Sequence, residues 1–278
     1  MDIFAPSYYL DFHCLAEQCQ HNCCRAGWEI DVDEETLAFY QQHGEIMEHI
    51  CLEDTPHIRL LGNGWCPFLN DGSLCRLITD HGEEVLCQIC RDHPRFRNFF
   101  ESRTEIGVGL TCEAAVKLVL ENDFQLVKIG EDEEPSAYLA EEEDFLDYRA
   151  ALMLRDVTAL YGLLPTVTLK QTSLFLRGLE RLDTAWDAVL DTLERRDEPI
   201  SAVPIHDITV ANRLFQYFLF RHLHNFGLAF CVFCTYVVMA LDGDVSECAR
   251  LFSSEIEYSD DNTLATAEFV TQKSRSLD

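Results

Sequence analysis

Ten of the chain's 13 cysteines lie within its first 112 residues: Cys14, Cys19, Cys23, Cys24, Cys51, Cys66, Cys75, Cys87, Cys90 and Cys112. Only Cys231, Cys234 and Cys248 fall beyond them. Thiolates are soft ligands for zinc, copper(I) and iron–sulfur clusters, so such a concentration at one end of a chain points to metal. A disulfide framework would need an oxidising compartment. The opening MDIFAPSYYLDFHC has neither a basic leader nor a long apolar run, so it does not read as a signal peptide. The expectation is a cytoplasmic protein whose thiols stay reduced; inert buried cysteines or a thiol redox pair are the alternatives to metal.

The spacing refines this expectation. Cys87 and Cys90 have the interval by which one backbone turn aims two sulfurs at one ion. Cys23 and Cys24 are adjacent and point apart, so one centre rarely uses both. Cys66 and Cys75 add single ligands, and Cys112 closes the region. The set is neither a zinc ribbon, which needs two close pairs, nor the three-cysteine run of radical S-adenosylmethionine enzymes, because Ala26 stands at the third position. Residues alone lead to one or two thiolate-bound centres of unusual architecture.

With 278 residues and 47% hydrophobic content the chain can build a substantial core. Its net charge of -28 includes only four lysines, Lys117, Lys128, Lys170 and Lys273. Such a polyanion does not neutralise phosphates, which argues against nucleic acid as a partner.

The expected fold is mainly α, with a cysteine-rich, metal-bound N-terminal module followed by a helical bundle. Residues 1–125 form the module, short helices tied together by metal. Residues 126–144 are an acidic linker or helix start, 131–144 carrying eight acids around Pro135. Residues 145–252 form the bundle, and 253–278 a polar, frayed tail. Leu146, Ala150, Met153, Val157 and Leu160 mark one amphipathic helix; Phe175, Leu179, Leu182, Trp186, Val189 and Leu193 mark the next. A third, from about Ile208 to Leu241, is apolar on most sides and suits the bundle centre. Its stretch Phe226–Leu241 is too short for a membrane span, so no membrane association is expected. Cys231 and Cys234 read as core residues of that helix.

Four motifs then acquire meaning together: FHCLAEQCQHNCCRAGWEID, WCPFLNDGSLCRL, GEEVLCQICRDHPR and LTCEAA. In order and spacing they resemble the flagellin lysine N-methylase family, itself similar to a wider group of cysteine-cluster proteins thought to chelate zinc or iron. A further echo is RLFQYFLFRHL at 213–223. The resemblance implies transfer of methyl groups from S-adenosylmethionine to lysines of flagellin, using a cysteine-bound [4Fe-4S] cluster. It implies Cys19, Cys23, Cys24, Cys66, Cys75, Cys87, Cys90 and Cys112 as metal-site cysteines, with Cys14 also in the pattern. The family's usual Tyr before Pro-Arg is His93 here.

No glycine fingerprint marks a cofactor site: Gly107 and Gly109 lack a third glycine, and Gly62 with Gly64 reads as a turn. Arg91 and Arg95 flank the second cysteine pair and could hold a carboxylate or tune a cluster. Trp28 suits a hydrophobic lid over the metal. No motif singles out a catalytic base. Two readings compete with the methyltransferase: a non-catalytic zinc- or iron-binding module, and a redox sensor cycling Cys87 and Cys90 between thiol and disulfide.

Overall fold

The N-terminal strand does not belong to the cysteine-rich module. In the computed structural model, which describes residues 1–131 and 140–274, one compact unit is His13–Arg95, and the other joins Met1–Phe12 to Phe96–Asp278. The expected boundary near residue 125 therefore moves to residues 12/13 and 95/96. Of the acidic segment, residues 132–139 lie outside the described residues, as do the last four of the expected tail.

In chain order the elements are β1 (Asp2–Pro6), α1 (Glu34–Tyr40), α2 (Gly44–Met47), β2 (Ile50–Cys51), β3 (His57–Ile58), α3 (Arg76–His81) and α4 (Gln88–Asp92). There follow β4 (Arg95–Phe99), β5 (Arg103–Val108), α5 (Glu113–Glu121), β6 (Leu126–Glu131), α6 (Ala140–Met153), α7 (Leu169–Arg177) and α8 (Thr184–Glu194). The chain ends through α9 (Ile208–Ala240), α10 (Val245–Phe252) and α11 (Asp260–Ser274). The mainly helical expectation holds, with a small sheet added.

That sheet belongs to the larger unit and has the order β4-β5-β1-β6. β1 runs parallel to β5, with Ile3 opposite Thr104, and antiparallel to β6 with a register shift between Ile3 and Phe4. Gly107 on β5 serves packing: a Cβ there would meet the Phe96 ring at 2.4 Å. Only a residue without a side chain lets the ring lie so close.

The larger unit's core is built on α9, whose Leu214, Phe215, Phe218, Cys231, Val232 and Phe233 are fully buried. This bears out the expected central helix and the core placement of Cys231 and Cys234. Gly227 interrupts the helix with φ 79°, a conformation glycine tolerates without steric cost. Counted across that kink the element has 33 residues, not the 16 of the apolar stretch alone. It is thus long and apolar enough to cross a membrane, yet 61% of its apolar window is buried inside the protein.

Three expectations about helices change. The first periodic segment is α6 followed by a separate 3-10 turn at Val157–Leu163. Ala150 is exposed, whereas Arg149 faces inward. The second segment divides into α7 and α8, leaving Leu182 exposed between them. The stretch expected to fray forms a buried π-turn at Ser253–Glu257 and then α11, which buries Asn262, Thr263, Thr266 and Val270.

The smaller unit is made of short helices, as expected, together with the β2–β3 pair, which the sequence reading did not include. Its core contains Val32, Tyr40, Ile46, Ile50, Ile58, Phe68, Leu77 and Val85 together with Cys66 and Cys87. Asp33 caps α1 by accepting from the Thr36 amide at 3.0 Å, and its other oxygen accepts from the Gln88 amide at 2.8 Å. One carboxylate thereby fixes the starts of α1 and α4 relative to each other.

Candidate metal centre

Three loops of the smaller unit are laced together by polar contacts that their sequences supply. Asn22 Oδ1 accepts from the Cys24 amide at 2.9 Å, while Asn22 Nδ2 donates to the Ser73 carbonyl at 3.1 Å. The Cys66 amide donates to the Cys24 carbonyl at 2.8 Å. Arg25 donates to Ser73 Oγ at 2.7 Å and lies 4.6 Å from the Trp65 ring centre. Within WCPFLNDGSLCRL, Asn70 Oδ1 accepts from the Leu74 amide at 3.0 Å, and Leu69 and Cys75 form an isolated β-bridge. Cys75 precedes α3 and Cys87 precedes α4 at the cap position, with Cys90 one turn into α4.

The result gathers six thiols: Cys23, Cys24, Cys66, Cys75, Cys87 and Cys90. Cys24 is within hydrogen-bond range of the sulfurs of Cys23 and Cys66, and Cys87 of Cys90. The two groups are within electrostatic reach of each other, Cys90 sensing Cys23 and Cys66, and Cys75 sensing the same pair. A hydrogen bond from Cys24 holds the Cys23 thiol down to about 7 against the opposing effect of burial. Cys66 is lowered for the same reason, and Cys87 is lowered by Cys90. Cys24 and Cys90, the proton-bearing partners, are pushed up, chiefly by those shared protons; Cys75 is pushed up by burial.

Among the described residues no three His, Cys, Asp or Glu side chains are disposed to hold one ion between them. The chemistry of the donor set nonetheless suits a soft metal, which displaces thiol protons on binding. A second feature fits as well. Tyr40 is completely buried beside Cys75, Cys87 and Cys90, and its hydroxyl has no hydrogen-bond partner. Buried hydroxyls are ordinarily satisfied, so this one lacks an acceptor of the kind a metal-bound thiolate provides.

Cys14 is exposed, its sulfur accepting from the Ala16 amide at 3.4 Å. Cys19 is half-buried at the end of a short turn, and Cys51 sits in β2. Cys112, at the position preceding α5, is a residue of the larger unit rather than of the unit that holds the other nine N-terminal cysteines. Trp28 lies tilted against His93, ring centres 5.2 Å apart, and burial together with Arg95 pushes His93 down to about 4. Arg91 donates to Gln88 Oε1 at 3.2 Å, and Arg95 to the Arg91 carbonyl at 3.1 Å.

Sequence reasoning did not foresee a buried polar network in the larger unit. His222 Nε2 lies 2.6 Å from Glu257 Oε1, the Tyr217 hydroxyl donates to the same carboxylate at 3.0 Å, and Arg221 donates to Tyr217 Oη at 2.7 Å. The signal was present in RLFQYFLFRHL, where Tyr217, Arg221 and His222 interrupt an apolar run. Its partner, Glu257, lies 35 residues beyond His222 in the π-turn. With its groups mutually engaged, the network reads as structural.

The chain is similar to the Flagellar biosynthetic protein FliU of Salmonella muenchen, 26% identical over 140 residues, covering 45% of this chain and 80% of that protein. Two proteins named Lysine-N-methylase, from Salmonella choleraesuis and Salmonella typhimurium, are each 27% identical over 140 residues. The match covers 34% of the length of each methylase. No family model matches the chain, and no solved structure matches it significantly.

Proposed function

We propose that the protein is a cytoplasmic, S-adenosylmethionine-dependent lysine N-methyltransferase acting on a flagellin-like protein, with a thiolate-bound metal centre in His13–Arg95. The centre is a [4Fe-4S] cluster in this reading, with zinc as the alternative metal. The observation that carries it is the gathering of thiols from distant parts of the sequence at one small core, Cys66 and Cys87 within it, Cys24, Cys75 and Cys90 packed against it, and Cys23 within electrostatic reach. Distant similarity to proteins named Lysine-N-methylase supports the reaction class. Cys23, Cys24, Cys66, Cys75, Cys87 and Cys90 supply the pool of ligands, of which one cubane needs about four. Such a cluster, when bound, supplies a Lewis-acidic and redox-active iron site. Methyl transfer to an amine also needs the substrate lysine neutral, which a desolvated pocket favours.

Anaerobic purification followed by iron, sulfide and zinc analysis tests the centre. About four irons and four sulfides per chain are expected of one cubane; stoichiometric zinc without sulfide would replace the cluster by a zinc site. Calorimetric titration with S-adenosylmethionine and mass spectrometry of flagellin incubated with the protein test catalysis. No binding heat and no methyl increment would overturn the methyltransferase reading. The hydrogen-bonded pair Cys87 and Cys90 also favours a second reading, a thiol redox sensor. Reversible oxidation of that pair in metal-free protein, without metal uptake, would select it.

A further inference from the structure

The orphaned hydroxyl of Tyr40 has no packing purpose. Its ring is enclosed by the small unit's apolar core, where phenylalanine would fill the same space. The oxygen adds only the desolvation of a donor left without an acceptor. The Cys87 amide approaches it without reaching hydrogen-bond geometry. Cys87 shares that core, Cys75 and Cys90 pack against it, and all three sulfurs lie within electrostatic reach of the oxygen. The placement is rigid, because Tyr40 ends α1 and Asp33, at the start of α1, also holds the first amide of α4 between Cys87 and Cys90.

We propose that Tyr40 is a positioning residue of the metal centre, its Oη–H donating a hydrogen bond to a metal-bound thiolate of Cys75, Cys87 or Cys90. A thiolate on a metal keeps lone pairs and negative charge, so it accepts where a neutral thiol does so weakly. The donor withdraws charge from the sulfur and favours the metal-bound form over the metal-free one. The inference rests on the metal-centre reading above and adds to it a residue that is not a ligand. It requires opposite responses from the two states: the hydroxyl is a burden without metal and an asset with it.

Co(II) is the probe, titrated anaerobically into the reduced full-length chain and read by its thiolate charge-transfer absorption, then displaced by Zn(II). A hydrogen bond to a charged acceptor predicts that Tyr40→Phe weakens Co(II) binding about tenfold to a hundredfold. In metal-free protein the same variant should unfold at an unchanged or higher denaturant concentration. Equal Co(II) affinity in wild type and variant would overturn the role of Tyr40 while leaving the metal centre intact. No uptake by wild type of Co(II), of Zn(II), or of iron with sulfide on anaerobic reconstitution would overturn both. Loss of affinity together with loss of metal-free stability would assign Tyr40 to packing alone and overturn the proposal. A second measurement does not depend on the phenylalanine variant folding: 3-fluorotyrosine at position 40 should show a fluorine resonance that moves on metal loading, and an unmoved resonance refutes the hydrogen bond.

Discussion

Replacing Glu257 by Gln tests whether the buried network of the larger unit is a structural ion cluster. Glu257 is 1% exposed at its side chain and faces Arg221, His222 and Tyr217. Burial alone would raise its carboxyl, but the Arg221 charge and the His222 hydrogen bond outweigh it and hold the group at about 2, against an ordinary 4.5. That displacement corresponds to ~3 kcal/mol of folding stability at neutral pH. Because the folded value is depressed, the contribution is complete above 4.5 and disappears as pH falls toward 2. Glu257→Gln should therefore cost ~3 kcal/mol at pH 7, and the difference from wild type should shrink steadily as the pH falls below 4.5. The assay is denaturant unfolding followed by Trp186, buried in this unit, with Trp28 and Trp65 replaced by phenylalanine in both proteins. His222, lowered chiefly by burial from its ordinary 6.5, contributes in its own window just below that value, so any loss confined there belongs to the histidine. A difference below ~1 kcal/mol, or one independent of pH, would refute the assignment of Glu257 as a stabilising buried carboxylate.

Two further expectations follow from named contacts. Arg149 donates to both oxygens of Glu105, which is fully buried, and Arg149→Met should cost ~3–5 kcal/mol in unfolding experiments, much of it recovered by adding Glu105→Leu. A single-variant loss below ~1 kcal/mol would show that Arg103, the carboxylate's other partner, suffices. For the cysteines, Cys23→Ser or Cys87→Ser should abolish metal loading, while Cys112→Ser should retain it. Cys231→Ala and Cys234→Ala should leave metal content unchanged and cost ~1–2 kcal/mol as small core truncations. Elemental analysis of folded protein checks all five, and metal loss in the Cys231 or Cys234 variant would contradict their core role.

How far the sequence reveals the structure depends on where charge is buried. The central helix was legible because Ile208–Ala240 is apolar on nearly every side. The inward face of α6 was not, since periodicity assigns arginine to solvent and Arg149 is buried against Glu105. The sheet escaped notice because β1 has five residues and its partners lie about a hundred positions away, beyond any local pattern. The tail reads as polar because its buried residues satisfy themselves through backbone carbonyls. Asn262 donates to Glu180 and Glu255, and Thr263 to Ile256. The cysteine cluster was legible as composition, but not its membership: Cys112 continues the run in sequence and folds into the other unit.

The smaller unit ties the proposed metal to stability. Its buried apolar core holds few large side chains, and Cys66 and Cys87 are part of it. Among the described residues its helices are α1 to α4, each of seven residues or fewer. Helices this short have almost no stability of their own, and a small core supplies only a few kcal/mol, so a unit of this kind gains much from a cross-linking ion. The larger unit has its own extensive core around α9 and needs none. A strong chelator should accordingly accelerate amide hydrogen exchange across α1, α3 and α4 while leaving α9 amides unchanged, and restored metal should reverse the effect. Equal acceleration in both units would mean that the metal stabilises the whole fold. No acceleration in either would mean that the thiol core holds without it, and the six cysteines would then be serving chemistry other than the folding of this unit.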